Sequence, residues 1–407
     1  MNTLHQMDEQ RLDEPAFIAH CQRLYRDTLL EDVIPFWLRH GIDRQHGGLG
    51  NMLDDAGNVL GTDKYLWSQG RGLWTFSALC RRIERRPEWL AVADHIFNYL
   101  RSHGRDEHGR WVFRLDQDGK LLDGNISIYV DAFVMAGMTE YHAITKHEYA
   151  LQLALETYES TLKRLRTPGS YQLAPYHLPE GMKTHGVAMI FSLFYYELGE
   201  LLRRSDIMQN GLEQAYQVLN HFYQPTKNAI VEFVTTDGQF VDSPEGRACV
   251  PGHALEALWF LITIFERTGD RVSIQRCCRL IQRHLELAWD EEFGGLMLAR
   301  DIDGKEPSYW QYPTYKPWWV QAEALVATAY AYLHTREPWC LEWHRRVQEY
   351  AFVHYPVPTG EWSQWVDREG RRMGNAFLPV KDPFHLPRAL IHLIQVFQKL
   401  SRAAESQ

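Results

Sequence analysis

GGLGNMLDDAGNVL, residues 47–60, is the stretch that decides the fold. An alternating run is closed there by acidic residues and Gly57, the signature of a short β-hairpin. The same grammar returns at RWVFRLDQDGKLL (110–122), VEFVTTDGQFV (231–241), GGLMLARDIDGKE (294–306) and EWSQWVDREGRR (361–372). The turn glycines Gly57, Gly119, Gly238, Gly304 and Gly370 stand 62, 119, 66 and 66 residues apart. One interval is close to two periods, so a degenerate copy is expected inside it, with its turn at Thr167-Pro168-Gly169 or at Pro179-Glu180-Gly181.

Between the hairpins the chain reads as helix. Residues 71–86, 127–147, 187–204, 253–267, 318–335 and 385–402 carry apolar side chains at helical spacing. Six units of about 60 residues, each a helix pair and a hairpin, predict six inner and six outer helices. The fold class expected is all-α, an (α/α)6 barrel with short β-hairpins between repeats, forming one domain over residues 1–407. An open solenoid is the alternative. Closure is preferred because the terminal units lack the strongly polar sides of capping repeats.

Composition narrows the partners. With 43 basic against 52 acidic residues the formal charge is −9, which argues against a nucleic-acid or anionic-membrane surface. MNTLHQMDEQRLDEP at the start lacks the basic and apolar regions of a secretory signal, and the longest apolar stretch, Ala254 to Phe265, is broken by Glu256. A cytoplasmic protein, monomer or homodimer, is expected. The cysteines (Cys21, Cys80, Cys249, Cys277, Cys278, Cys340) have no metal-like spacing and read as free thiols in or near the core. The 14 Trp, 20 Tyr and 18 Phe suit a core and also suit faces that stack on sugars.

The repeat also indicates where chemistry should lie. From each turn glycine the offset is 14 to Arg71, 15 to His253, 14 to Trp318 and 15 to His385. Equal offsets in a ring predict equal height, so these four should converge at the N-termini of inner helices, where unpaired N–H groups favour oxyanions. Pro251, Pro317 and Pro387 mark three of those starts. Histidine has the pKa to remove a proton beside a sugar carbonyl and to return one on the other face. His253 in PGHALEALW and His385 in DPFHLPRAL are the expected pair. Arg71, with Trp67, Gln69 and Trp74 crowded around it, could hold the developing oxyanion. Glu256, one turn beyond His253, and Glu323 could orient a histidine or bind hydroxyls. H-E-x-x-H, G-x-x-x-x-G-K-[ST] and G-x-S-x-G motifs are absent from the sequence. Neither a catalytic metal nor a cofactor is expected.

With these residues in view, the chain resembles the N-acylglucosamine 2-epimerase superfamily, which also contains cellobiose and mannose 2-epimerases and mannose isomerases. The resemblance rests on GGLGNMLDDAGNVLGTDKYLWSQGRGLWTFSAL (47–79), PGHALEALW (251–259), KPWWVQAEAL (316–325) and DPFHLPRAL (382–390). It implies an (α/α)6 barrel in which His253 and His385 are the acid/base pair, Arg71 is the oxyanion contact, and Glu256 and Glu323 support the site. Arg388, Trp319 and, more weakly, Tyr129 match pocket positions, and Trp318 is expected beside them. The resemblance further implies a monosaccharide or amino-sugar substrate whose C2 proton is removed to give a cis-enediolate. Return of the proton to C2 makes a 2-epimer; return to C1 makes a ketose, the outcome of a mannose–fructose type isomerase. Members acting on unsubstituted sugars carry Asn-x-x-x-His at the start of the third inner helix. Here those positions are Val187 and Phe191, in the apolar VAMIF of the N-acyl-hexosamine type, or else His185 supplies the imidazole. A glycoside hydrolase or lyase on the same toroid would instead use two carboxylates such as Glu256 and Glu323. A sugar-binding toroid without catalysis would keep its rim when both histidines are lost.

Overall fold

The computed structural model describes residues 13–405, apart from Pro168 and residues 374–379. Most of the N-terminal segment read for a signal, and Pro168 of the proposed turn, therefore lie outside the described residues. Twelve long helices of the described chain alternate between two rings. The outer ones are α1 (Glu14–Asp27), α3 (Pro87–His103), α5 (Glu148–Leu165), α7 (Ser205–Gln217), α9 (Arg271–Ala288) and α11 (Pro338–His354). The inner ones are α2 (Leu66–Ala78), α4 (Ile128–Thr145), α6 (His185–Leu202), α8 (Pro251–Thr268), α10 (Trp318–Thr335) and α12 (His385–Glu405).

Sequence sorts the two rings. The inner helix α8 is apolar nearly all round, with Ala254 to Phe265 all buried, as a helix surrounded by others must be. It starts on Pro251 and stops at Gly269, whose φ of 75° caps it in the left-handed conformation. The outer helix α9 buries one stripe, Ile274, Cys277, Cys278, Ile281 and Leu285, and exposes arginines on the other side. All six cysteines are free and buried.

Ring closure follows one rule. The residues just before each inner helix pair antiparallel with the hairpin of the next unit. The pairs are Lys64–Tyr65 with Arg114–Leu115, Met182–Thr184 with Phe233–Thr235, Ala248–Cys249 with Arg300–Asp301, and Lys316–Pro317 with Trp365–Val366. Ser127 bridges to Leu173 in the same way. The sixth unit returns to the first, where the Lys381 N–H donates to the Asn51 carbonyl at 2.7 Å. These contacts make a closed toroid and overturn the open solenoid.

Two expectations change. First, α2 begins at Leu66, not near Arg71. Gly70 reads as a breaker, yet a Cβ there would stand 2.7 Å from the Phe133 backbone, so the glycine is what lets α2 lie against α4. Second, neither proposed turn is the hairpin turn of the third unit. The first N–H of an inner helix donates to Phe113, Gln172, Glu232 or Gln364 of the next unit, and in three cases a turn glycine follows six residues on. Counting six from Gln172 reaches Leu178, which resists the positive φ that Gly119, Gly238 and Gly370 adopt. Residues 174–181 form an open loop instead.

Candidate active site

The first turns of the inner helices face one basin, but at several depths. His385, Trp318 and His185 are first in their helices, Trp319 second, His253 third and Arg71 sixth. The equal height expected from equal offsets thus holds for the histidines and tryptophans, while Arg71 sits about a turn deeper because α2 starts early.

On one side of the basin, His385 Nδ1 lies 2.8 Å from Glu323 Oε1, and the other Glu323 oxygen accepts from Trp259 Nε1 at 2.8 Å. Arg388 Nη2 donates to Glu323 Oε1 at 2.6 Å and also to Glu256 Oε1. All of these side chains are buried. Burial pushes the Glu323 carboxyl up, and the Arg388 guanidinium together with His385 more than reverses it, holding it well below the usual carboxylate range. Donor atoms of Glu256, Glu323 and His385 lie within 4.8 Å of one another, as a cation site would require. Here they converge on the guanidinium, which supplies the positive charge.

On the other side, His253 Nδ1 lies 3.0 Å from Glu232 Oε2. Thr184 Oγ1 donates to the second Glu232 oxygen at 2.8 Å, and His185 Nδ1 is 3.9 Å from Oε2. Burial alone would push His253 down, but Glu232, with Glu256 and Glu323 behind it, raises it above the ordinary imidazole value. Burial pushes Glu232 up and its two imidazoles outweigh that, so its carboxyl ends low. Glu256 does not orient His253, although it is one turn along the same helix; it points to Arg388.

Trp319 neighbours both imidazoles, its ring centroid 5.1 Å from His253 and 5.5 Å from His385. Trp318 meets His385 edge-on at 6.2 Å. Arg71 is joined to this side through Asp382: Arg71 Nη1 is 3.1 Å from Asp382 Oδ1, and the His385 N–H donates to Asp382 Oδ2 at 2.9 Å. Its guanidinium rests on Phe133 at 3.9 Å and Trp67 at 4.6 Å. Of the other residues expected to crowd it, Gln69 turns away to bond the Leu49 backbone and Trp74 packs on Phe384. The Tyr129 hydroxyl lies against Gly186 beside Glu232, 2.8 Å from where a Cβ would stand.

Sequence reading missed Glu232, Asp382 and Trp259. Glu232 carried a signal, being the lone carboxylate in the apolar run Ala229 to Val234. Asp382 opened the quoted DPFH motif without being singled out.

With Nδ1 of each imidazole engaged by a carboxylate, Nε2 is the nitrogen left to exchange a proton in the basin. Two such pairs at the N-termini of inner helices in a closed (α/α)6 toroid have the chemistry for proton transfer on a sugar. A family model described as N-acylglucosamine 2-epimerase matches residues 47–389. The chain belongs to the N-acylglucosamine 2-epimerase family, whose members are sugar epimerases and isomerases, and it is an enzyme of the isomerase class. It is 30% identical over 384 residues to the N-acylglucosamine 2-epimerase of Bos taurus, covering 90% of each chain. To the cellobiose 2-epimerase of Dictyoglomus turgidum it is 24% identical, over 75% of this chain and 80% of that one. Among solved structures, a sugar epimerase from a ruminal bacterium superposes with a TM-score of 0.80 at 23% identity, covering 92% of this chain and 98% of the other. A D-mannose isomerase superposes at 0.77 with 18% identity, covering 96% and 100%. Those two likenesses show the shared toroid. Among the described residues no helix is long and apolar enough to cross a membrane.

Proposed function

We propose that this enzyme interconverts C2 epimers of an N-acylglucosamine-type sugar by proton transfer between His253 and His385. The observation that carries the proposal is the geometry of the two imidazoles, each tied through Nδ1 to a buried carboxylate and both beside Trp319. In the open-chain sugar, one neutral imidazole takes the C2 proton through Nε2. The C2–H electron pair becomes the C1–C2 double bond, and the C1 carbonyl oxygen takes the negative charge. Arg71 neutralises that oxygen, and the second, protonated imidazole returns a proton to the opposite face of C2. Roles exchange in the reverse direction.

Supporting the N-acyl class, Val187 and Phe191 are both buried and apolar at the start of α6. An aldose–ketose outcome would use the same residues with the proton delivered to C1. A glycosidase reading fits less well, because Glu256 and Glu323 are both bound by Arg388 and neither is left to share a proton with a leaving group. We further place the chain as one catalytic domain, monomer or homodimer, in the cytoplasm; six free buried thiols suit a reducing compartment.

The test is incubation in D2O with N-acetylglucosamine, N-acetylmannosamine, mannose, glucose and fructose, followed by NMR. Deuterium at C2 with formation of the epimer is expected from the N-acetylated pair. Ketose formation would replace the epimerase by the isomerase, and the absence of C1 or C2 exchange with every sugar would refute proton transfer.

A further inference from the structure

The third unit is the one without a closed hairpin, and its loop, residues 174–181, reaches over the basin. At its tip Tyr176 is open to solvent at 54%, unusual for a tyrosine, yet its ring meets Tyr129 at 6.2 Å in a T-shaped contact. Tyr129 in turn lies against Gly186 and Glu232. Burial raises the Tyr176 hydroxyl above its ordinary value, with Arg71, Asp382 and Glu232 of the site acting on it more weakly. Through Tyr129 the ring of Tyr176 is linked to the Glu232 side of the basin.

A second loop meets it from the opposite side. Residues 305–315 follow the fifth hairpin, and Trp310 and Tyr315 pack against the small cluster Leu298, Ala299 and Trp365, against which Trp319 also packs. The loop is thereby anchored to the tryptophan that touches both histidines. Next to Trp310, Tyr309 packs on Phe233 at 5.0 Å and donates its hydroxyl to the His177 carbonyl at 3.0 Å. His177 is the neighbour of Tyr176. Under the loop runs a cavity of about 810 Å³ bounded by Ile126, Tyr171, Tyr176, Lys183 and Thr236, so the loop is not resting on a packed surface there. The Tyr309 bond bridges the gap between the two loops.

We propose that Tyr176 contacts the bound sugar as a roof over the basin, and that the Tyr309–His177 hydrogen bond positions it there. This rests on the sugar-epimerase reading above. The ring supplies a face for sugar C–H groups and the hydroxyl a donor for a sugar oxygen, and the roof keeps water from the developing charge. Tyr309 is a positioning residue, since it acts only through the main chain of its neighbour loop.

The experiment compares wild type with Tyr176→Ala, Tyr176→Phe and Tyr309→Phe, using N-acetylglucosamine and N-acetylmannosamine. KM should rise about tenfold or more in Tyr176→Ala, and about fivefold in Tyr309→Phe, where one neutral hydrogen bond is lost. Tyr176→Phe, which keeps the ring, should fall between wild type and Tyr176→Ala. The melting temperature should not move for either Tyr176 variant, because the residue is exposed, and kcat should change less than KM; a merely structural role would not give that split. Wild-type KM in both Tyr176→Ala and Tyr309→Phe would overturn the proposal. If wild type turns over neither sugar, the epimerase reading fails separately, and calorimetric binding of the same sugars then decides the roof. A tenfold weaker affinity in Tyr176→Ala sustains it, whereas equal affinity, or no binding by wild type, overturns it.

Discussion

His253 and His385 are set in the basin by the same device, a carboxylate on Nδ1, but the two carboxylates have different company. Glu323 sits on an inner helix and has Arg388 and Trp259 as further partners. Glu232 comes from the bend just before the strand Phe233–Thr235, and its partners are Thr184 and two imidazoles, His185 and His253. On the Glu323 side a permanent cation neutralises the carboxylate. On the Glu232 side the positive charge has to come from a histidine, and His253 is raised accordingly. Buried histidines with no carboxylate beside them show what burial does unopposed: His284 is pushed down to about 4 and His344 to about 3. The charge on His253 is therefore sustained chiefly by Glu232, against the burial that lowers the histidines without such a partner.

The broadest test of that comparison removes each histidine in turn. His253→Ala and His385→Ala should each lower kcat for C2 exchange by about 10³-fold or more, read by NMR in D2O. Near-wild-type exchange in either would end the two-histidine scheme. Next in size is the cation on the Glu323 side. Arg388→Met should cost about 3–5 kcal/mol of stability, measured by urea unfolding, because it leaves two buried carboxylates without their counter-charge. An unchanged midpoint would show that the two sides do not differ as described.

Glu232→Gln sharpens the comparison at a smaller scale. A loss in kcat/KM of about 10- to 100-fold is expected for a group that orients an imidazole. The sign of the pH effect follows from the raised His253. With the Glu232 carboxylate gone, burial is opposed only by the more distant Glu256 and Glu323 and His253 falls, so the alkaline limb of the direction that uses His253 as acid should move to lower pH. Stability follows the same group. In wild type the charged His253–Glu232 pair stabilises the fold fully below the ordinary imidazole value of 6.5 and loses that contribution as pH rises through the raised value. Glu232→Gln should flatten this part of the stability–pH curve, and an unmoved limb and curve would assign the charge elsewhere. The smallest expected effect is that of His185→Asn, a few-fold change in kcat. Freed from sharing, Glu232 should raise His253 slightly further and move the alkaline limb upward, opposite to Glu232→Gln.

How far the site could be read from the chain differs on the two sides. His385 and Glu323 were legible because they stand in compact motifs on inner helices whose period is visible, whereas Arg388 came only from the family resemblance. Glu232 was passed over. It lies in a bend between two short strands, 21 residues before His253, and no helical period ties the two together. Glu256 misled for the converse reason: helical spacing puts it beside His253, yet the buried Arg388 on α12 draws it away. Arg71 shows the same limit, since its depth depends on where α2 begins.

The sequence by itself determined the toroid, through five hairpins at a regular spacing, and it put His253 and His385 in a shared register of their units. These are local properties, written in turn residues and in the apolar faces of helices. Only the tertiary structure decided which carboxylate each imidazole engages, where Arg388 places its charge, and how the loop that lost its hairpin comes to lie over the basin. The hydrogen bonds responsible join residues from different units, and their energies depend on burial and distance, which the order of residues along the chain does not specify.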